Sequence, residues 1–168
     1  PTLVFEHPTP NAVATHLAAA LGGASELSDA HPVVMRHRHS KTRFLMLHGR
    51  AGNARLFESL MQAMGWLDSL RDLVEFVFID GPYTCRAAPE LYAGLAARGL
   101  YGQAPAYFDF GLHGEPEASA ASVEAAVSDI EKRLVDSGPF HAIGGICDGA
   151  LIAAVVASRQ TQGPILYL

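Results

Sequence analysis

The chain contains one cysteine set between glycines, Gly145-Ile146-Cys147-Asp148-Gly149, and no other stretch of it carries as much chemical content. An apolar run, Phe140 to Ile143, precedes it, and an Ala- and Val-rich stretch, Asp148 to Ser158, follows, so the sequence predicts strand, sharp turn and helix in that order. In such a setting a nucleophile sits on a strained turn at the strand end, and small residues on either side let strand and helix approach without a Cβ clash. The helix that starts there aims its N–H groups and the positive end of its dipole at the thiol. That favours both a thiolate and the oxyanion of a tetrahedral intermediate. Asp148 opposes the thiolate, because a neighbouring carboxylate disfavours a second negative charge. Read on these residues alone, Cys147 is either a nucleophile or a buried, inert thiol.

An oxyanion hole on this architecture needs one backbone N–H from the residue after the nucleophile and another from the loop after a neighbouring strand. The loop is supplied by Leu45-Met-Leu-His48-Gly49-Arg50-Ala51-Gly52-Asn53. The two donors are therefore expected to be the N–H groups of Asp148 and Arg50, with His48 and Gly49 supporting the loop. A His before Gly at a strand end reads as a hydrogen-bonding structural residue rather than a base, and the Arg50 side chain as a surface group. Eight histidines are present, but no position is expected to deliver a base to Cys147; His141, in the strand leading to the turn, reads as a core or edge residue. Without a base, a thiol with the reference pKa of about 8.5 is only a few per cent ionised at neutral pH.

The surroundings of these residues are those of a folded, acidic protein. The 168 residues are 49% hydrophobic and 17% charged with a formal net charge of −5, which excludes a disordered chain and argues against nucleic acid as a partner. The longest uninterrupted apolar run, Ala150 to Ala157, is far short of the roughly 20 residues that cross a bilayer, so no membrane span is expected. Two cysteines are too few for a disulfide scaffold, and Cys85 reads as a free surface or lid thiol. The cytoplasm or another reducing compartment is the expected location. No metal ligand set and no bound cofactor are expected.

Along the chain, Thr9 and Pro10 open a helix whose stripe is Val13, Leu17 and Leu21, and Gly22-Gly23 close it. Residues 23–42 read as a linker. Strands are then predicted at Phe44–Leu47, Leu73–Ile79, Phe140–Ile143 and Ile165–Leu168. Helices are predicted around Phe57, Leu60, Met61 and Met64, from Val123 to Leu134, and from Asp148 to Ser158. Residues 83–120 show no period and read as a lid or binding loop with room for short helices; its Tyr101, Tyr107, Phe108 and Phe110 read as lid or core residues, with the lining of an acyl pocket as the alternative. Strands alternating with helices imply an α/β class with a mainly parallel sheet flanked by helices. The start at Pro1 and the end inside an apolar run give the expectation of a piece of a longer polypeptide, C-terminally truncated.

Arg43 to Leu168 resembles the FSH-type serine hydrolases, an α/β-hydrolase-fold family. The resemblance lies in Phe44-Leu-Met-Leu-His-Gly-Arg-Ala-Gly-Asn53, Phe78-Ile-Asp-Gly-Pro82, Ala106-Tyr-Phe108 and Gly138-Pro-Phe-His-Ala-Ile-Gly-Gly-Ile-Cys-Asp-Gly-Ala150. It implies cleavage of carboxylic esters or thioesters by a Ser–Asp–His triad, with Cys147 where the family has its Ser. The implied Asp and His would follow the sixth and later strands, beyond these residues. Separately, Thr2-Leu-Val-Phe-Glu-His-Pro-Thr-Pro-Asn-Ala-Val-Ala-Thr-His-Leu17 is similar to the last helix of acyl carrier domains in polyketide synthases. The two resemblances together imply a carrier-like remnant at 1–22, a linker at 23–42 and the N-terminal part of a hydrolase domain at 43–168. The expected substrate is an acyl ester or thioester, carried on the phosphopantetheine arm of a neighbouring carrier domain. The competing expectation is a degenerate hydrolase fold kept as a binding or scaffold module.

Overall fold

In the first strand, Phe44 and Met46 pack into one apolar cluster and Leu45 and Leu47 into another, and all four are buried. A strand apolar on both faces is stable only inside a sheet covered on both sides. The computed structural model, which describes residues 9, 11–12, 15–16, 41–102, 104, 106–113, 116–159 and 166–167, has that arrangement. Its elements run β1 (Thr42–Leu47), α1 (Ala54–Ala63), α2 (Trp66–Leu70), β2 (Val74–Ile79), β3 (Tyr83–Cys85), α3 (Ala93–Ala96), β4 (Tyr107–Asp109), α4 (Pro116–Asp136), β5 (Ala142–Gly145), α5 (Asp148–Arg159) and β6 (Leu166–Tyr167). The main sheet has the order β2-β1-β5-β6 and every pairing in it is parallel. This is the expected α/β class with a mainly parallel, helix-flanked sheet.

One face of the sheet is covered by α1 and α2 through Phe57, Met61 and Leu70, packed on Phe44, Met46, Val74 and Ala142. The opposite face is covered by α4 and α5, whose Ala126, Val127, Ile130, Ile152, Ala153 and Val156 pack on Leu45, Leu47 and Ile143. Each fully buried aliphatic or aromatic side chain contributes ~1.5–3 kcal/mol, so the two layers hold β1 and β5 rigidly side by side. In register, Leu47 lies beside Gly145, so both strands end at the same height, where the loops carrying chemistry emerge.

Two differences from expectation bear on the surroundings of the site. The segment 83–120 is not irregular throughout: β3 and β4 form a two-stranded antiparallel sheet, α3 lies between them, and α4 starts at Pro116. Strands of three residues have no room to display a period, and Pro116-Glu-Ala-Ser-Ala-Ala-Ser122 lacks the apolar stripe that marked the rest of α4. Thr42, expected to end a linker, opens β1. Residues 11–12 and 15–16 are helical, and the Ala12 N–H donates to Thr9 Oγ1 at 3.2 Å, the expected cap. The remainder of that helix, residues 23–40 of the linker, and Ile165 and Leu168 of the last predicted strand lie outside the described residues.

Candidate active site

β5 ends at Gly145 and α5 begins at Asp148, so Ile146 and Cys147 alone make the turn. Cys147 has φ +52°, a left-handed conformation that costs an L-residue ~1–2 kcal/mol and persists only where its surroundings impose it. The imposing contacts are backbone to backbone. A Cβ on Gly145 would lie 2.6 Å from the Leu47 carbonyl oxygen and 2.7 Å from the Gly149 carbonyl carbon, and one on Gly149 would overlap the carbonyl oxygens of Leu47 and His48. The Ile146 N–H donates to the Leu47 carbonyl at 3.2 Å, tying the turn to the end of β1. Cys147 emerges from this packing exposed to solvent, with no disulfide partner.

The loop after β1 passes directly beside it: a Cβ on Gly49 would lie 3.1 Å from Cys147 Cβ. His48, buried behind that loop, uses both ring nitrogens. The Gly81 N–H donates to Nε2 at 2.9 Å, which makes Nε2 the acceptor and leaves the proton on Nδ1 to donate to the Gly49 carbonyl at 2.7 Å. Burial holds the His48 pKa below its ordinary value, so the ring is neutral. With both nitrogens engaged, it offers no base to Cys147. The Gly49 carbonyl also accepts the Gly52 N–H at 3.1 Å. Because that carbonyl and the Arg50 N–H share one rigid peptide unit, these two bonds fix the direction of the Arg50 N–H. Neither the Arg50 nor the Asp148 N–H has an acceptor among the described residues.

The segment after β2 braces the same loop from outside. Tyr92 Oη donates to the Arg50 carbonyl at 2.6 Å, Tyr101 Oη to the Ala51 carbonyl at 2.8 Å, and the Phe108 N–H to the Gly52 carbonyl at 2.8 Å. Ala51 sits at φ +49°, so the loop is a second strained turn held from several sides. The rings of Tyr92 and Tyr101 stack with centroids 4.4 Å apart, and those of Tyr101 and Tyr107 lie 4.7 Å apart. Burial first, and the neighbouring Tyr101 second, push the Tyr92 phenol up to about 12. Tyr101, Tyr107 and Phe110 are buried, so three of the four aromatics pack as core residues rather than line an acyl pocket; Phe108 is half-buried in β4. Two surface clefts lie elsewhere, one on α1 between Arg55 and Leu67 and one along Leu91 to Arg98.

Asp148 is 4% exposed and heads α5, where the helix dipole favours its charge. One carboxylate oxygen, Oδ1, lies 3.5 Å from Cys147 Sγ; the other, Oδ2, lies 2.7 Å from Nε2 of the half-exposed His113. The sequence reading did not single out His113. It sits 35 residues before Asp148 in a stretch without periodicity, and no local signal announces the contact. His141 accepts the Arg43 N–H on Nδ1 at 3.1 Å at the start of β5, away from the turn. Cys85 is a half-buried free thiol in β3 rather than in a loop, and burial followed by the Asp109 carboxylate push its pKa up. Among the described residues no group of three or more His, Cys, Asp or Glu side chains could hold a metal ion, and no helix is long and apolar enough to cross a membrane.

Comparison with known proteins identifies a family. A family model described as serine hydrolase (FSH1) matches residues 35–166. Esterase FPY3 of Fusarium mangiferae is 26% identical over 117 residues, which cover 70% of this chain and 49% of that protein. The chain thus spans about half the length of the curated relative it matches.

Proposed function

The chain belongs to the serine hydrolase (FSH1) family, and from that premise we propose that it acts on carboxylic esters or thioesters through Cys147 as nucleophile. The observation that carries this reading is the strained, solvent-exposed Cys147 at the strand-to-helix turn, with the Gly49 loop against its Cβ. The thiolate attacks the acyl carbon, and the developing oxyanion lies between the N–H groups of Arg50 and Asp148, which are free of acceptors among the described residues. The alcohol or thiol leaves and an acyl-cysteine forms. Water then attacks the acyl-cysteine and regenerates the thiol. A triad His, oriented by an Asp, both of which the family resemblance implies after the sixth strand, would take the thiol proton, give it to the leaving alcohol or thiol, and then activate the water that releases the carboxylic acid.

The finer part of the proposal is chain release. An acyl group on the arm of a neighbouring carrier domain would reach Cys147 at high effective concentration, and the similarity of residues 2–17 to a carrier helix supports such a neighbour. In this reading the chain divides into a carrier-like remnant at 1–22, a linker at 23–42 and hydrolase from 43 on, located in a reducing compartment. The buried Asp148 carboxylate beside the thiol favours a second reading, a binding or scaffold module without turnover. Intact mass spectrometry separates the two. After incubation with short acyl thioesters and aryl esters, the wild type should gain and then lose an acyl mass that Cys147→Ala never gains. The test uses the full-length protein, so that the triad partners are present; a folded full-length protein that binds acyl ligand but stays unmodified overturns the hydrolase reading.

A further inference from the structure

The buried carboxylate beside the nucleophile is the least expected group in the molecule. A bare Asp148 charge 3.5 Å from Cys147 Sγ would oppose the thiolate on which the proposed acyl transfer depends. The carboxylate is not bare. His113 reaches in from the segment between β4 and α4 and places Nε2 at 2.7 Å from Oδ2, on the side of the carboxylate away from the thiol. A carboxylate at neutral pH only accepts, so the His113 Nε2–H is the donor, and this is a charge-assisted hydrogen bond to a group that is 4% exposed.

We propose that His113 is a positioning residue of the nucleophile: by binding Asp148 Oδ2 it offsets the carboxylate charge and holds Oδ1 as the acceptor of the Cys147 thiol proton. The proposal rests on the reading of Cys147 as nucleophile and deepens it. Two consequences follow from the geometry. The hydrogen bond draws negative charge toward Oδ2, away from the sulfur, and an imidazolium at the same place cancels it. The hydrogen bond also fixes the carboxylate rotamer, so the Sγ–H proton is directed at Oδ1 and the sulfur lone pairs are left facing solvent. Two other titratable groups feel Asp148: His48, held neutral by burial, and Tyr92, whose phenol is pushed up to about 12. Neither changes charge near neutrality.

Thiol alkylation by iodoacetamide, read by intact mass in a Cys85→Ser background, tests this without any need for ester turnover. The rate is followed from mildly acidic to alkaline pH for the parent, His113→Leu, His113→Lys, Asp148→Asn and the His113→Leu/Asp148→Asn pair. Losing a cation roughly 6–8 Å from the sulfur at an effective dielectric of ~40 predicts that His113→Leu slows neutral-pH alkylation ~5–10-fold and moves the rate–pH midpoint upward. His113→Lys, which keeps a cation, should restore the rate to within about twofold. With Asp148→Asn in place, His113→Leu should change little. An equal effect of His113→Leu with Asp148 and with Asp148→Asn, or no effect in either, overturns the proposal; if His113→Leu unfolds on heating much earlier than the parent, the His113→Lys and Asp148→Asn profiles decide. Loss of esterase activity with the alkylation pattern intact would count against the hydrolase reading and not against this one.

Discussion

Replacing Gly145 by Ala adds one methyl group at the point where β1, β5 and α5 converge. The added Cβ would meet the Leu47 carbonyl oxygen at 2.6 Å, the Gly149 carbonyl carbon at 2.7 Å and the Ala150 nitrogen at 2.9 Å. All three are main-chain atoms of buried elements, so no side chain can swing aside; the strand and the helix must separate. Overpacking of a core costs ~1–3 kcal/mol, and a clash made wholly with backbone belongs at or above the upper end. In a domain of this size each kcal/mol lowers the thermal midpoint by about 3–5 °C, so a drop on the order of 10 °C is expected. Gly94→Ala is the matched control, because a Cβ there meets nothing within 4 Å, the residue lies inside α3, and the exchange should be neutral or raise stability by ~0.4–1 kcal/mol. Circular dichroism on heating measures both. A Gly145→Ala midpoint within about 2 °C of Gly94→Ala would mean that the turn yields freely. The account of Cys147 as a strained residue held in place would then be wrong.

Two pH predictions come from the groups that brace the loop after β1. His48 has its pKa lowered by burial, so between that value and 6.5 the unfolded chain binds a proton that the folded chain does not. Stability should therefore fall as pH drops below about 6.5, and His48→Asn should show a shallower acid slope than the wild type in thermal unfolding followed at several pH values; parallel slopes would refute the assignment. Tyr92 has the opposite sense: its phenol is raised from 10.0 to about 12, so across that interval the unfolded chain releases a proton that the folded one keeps, and stability should decline as pH rises through it. Ultraviolet difference titration should find late-appearing tyrosinates, because burial also raises Tyr101, and Tyr92→Phe should remove one of them; a complete set of ordinary midpoints would contradict the burial of these hydroxyls.

The residues around the turn were readable because their information is local. Gly145, Cys147 and Gly149 lie within five positions, and the apolar run before them and the Ala-rich run after them each have one natural secondary structure. The same holds for β1, where four successive apolar residues serve two faces at once. His113 was unreadable for the opposite reason: its contact with Asp148 is made by a loop brought back over α5, and neither residue carries a periodic or spacing signal. The tyrosines mark an intermediate case. Tyr101 and Tyr107 stood out as aromatics of an aperiodic, lid-like segment and Tyr92 did not stand out at all, and composition does not say whether a phenol faces a substrate or a backbone. Tyr92 and Tyr101 use their hydroxyls on the carbonyls of Arg50 and Ala51, and so are committed to the protein itself.

That commitment limits which motions the molecule can use to admit a substrate. The segment from Tyr83 to Asp109 would serve as a hinged cover only if it could lift while the floor stayed intact, yet its tyrosine hydroxyls and the Gly52–Phe108 bridge are the floor's own fastenings. Raising it far enough to break those bonds would release the Arg50 peptide along with it. Opening and loss of the Arg50 peptide's orientation are thus one event with one free energy. Amide exchange should register it as common protection of residues 50–52 and 107–109.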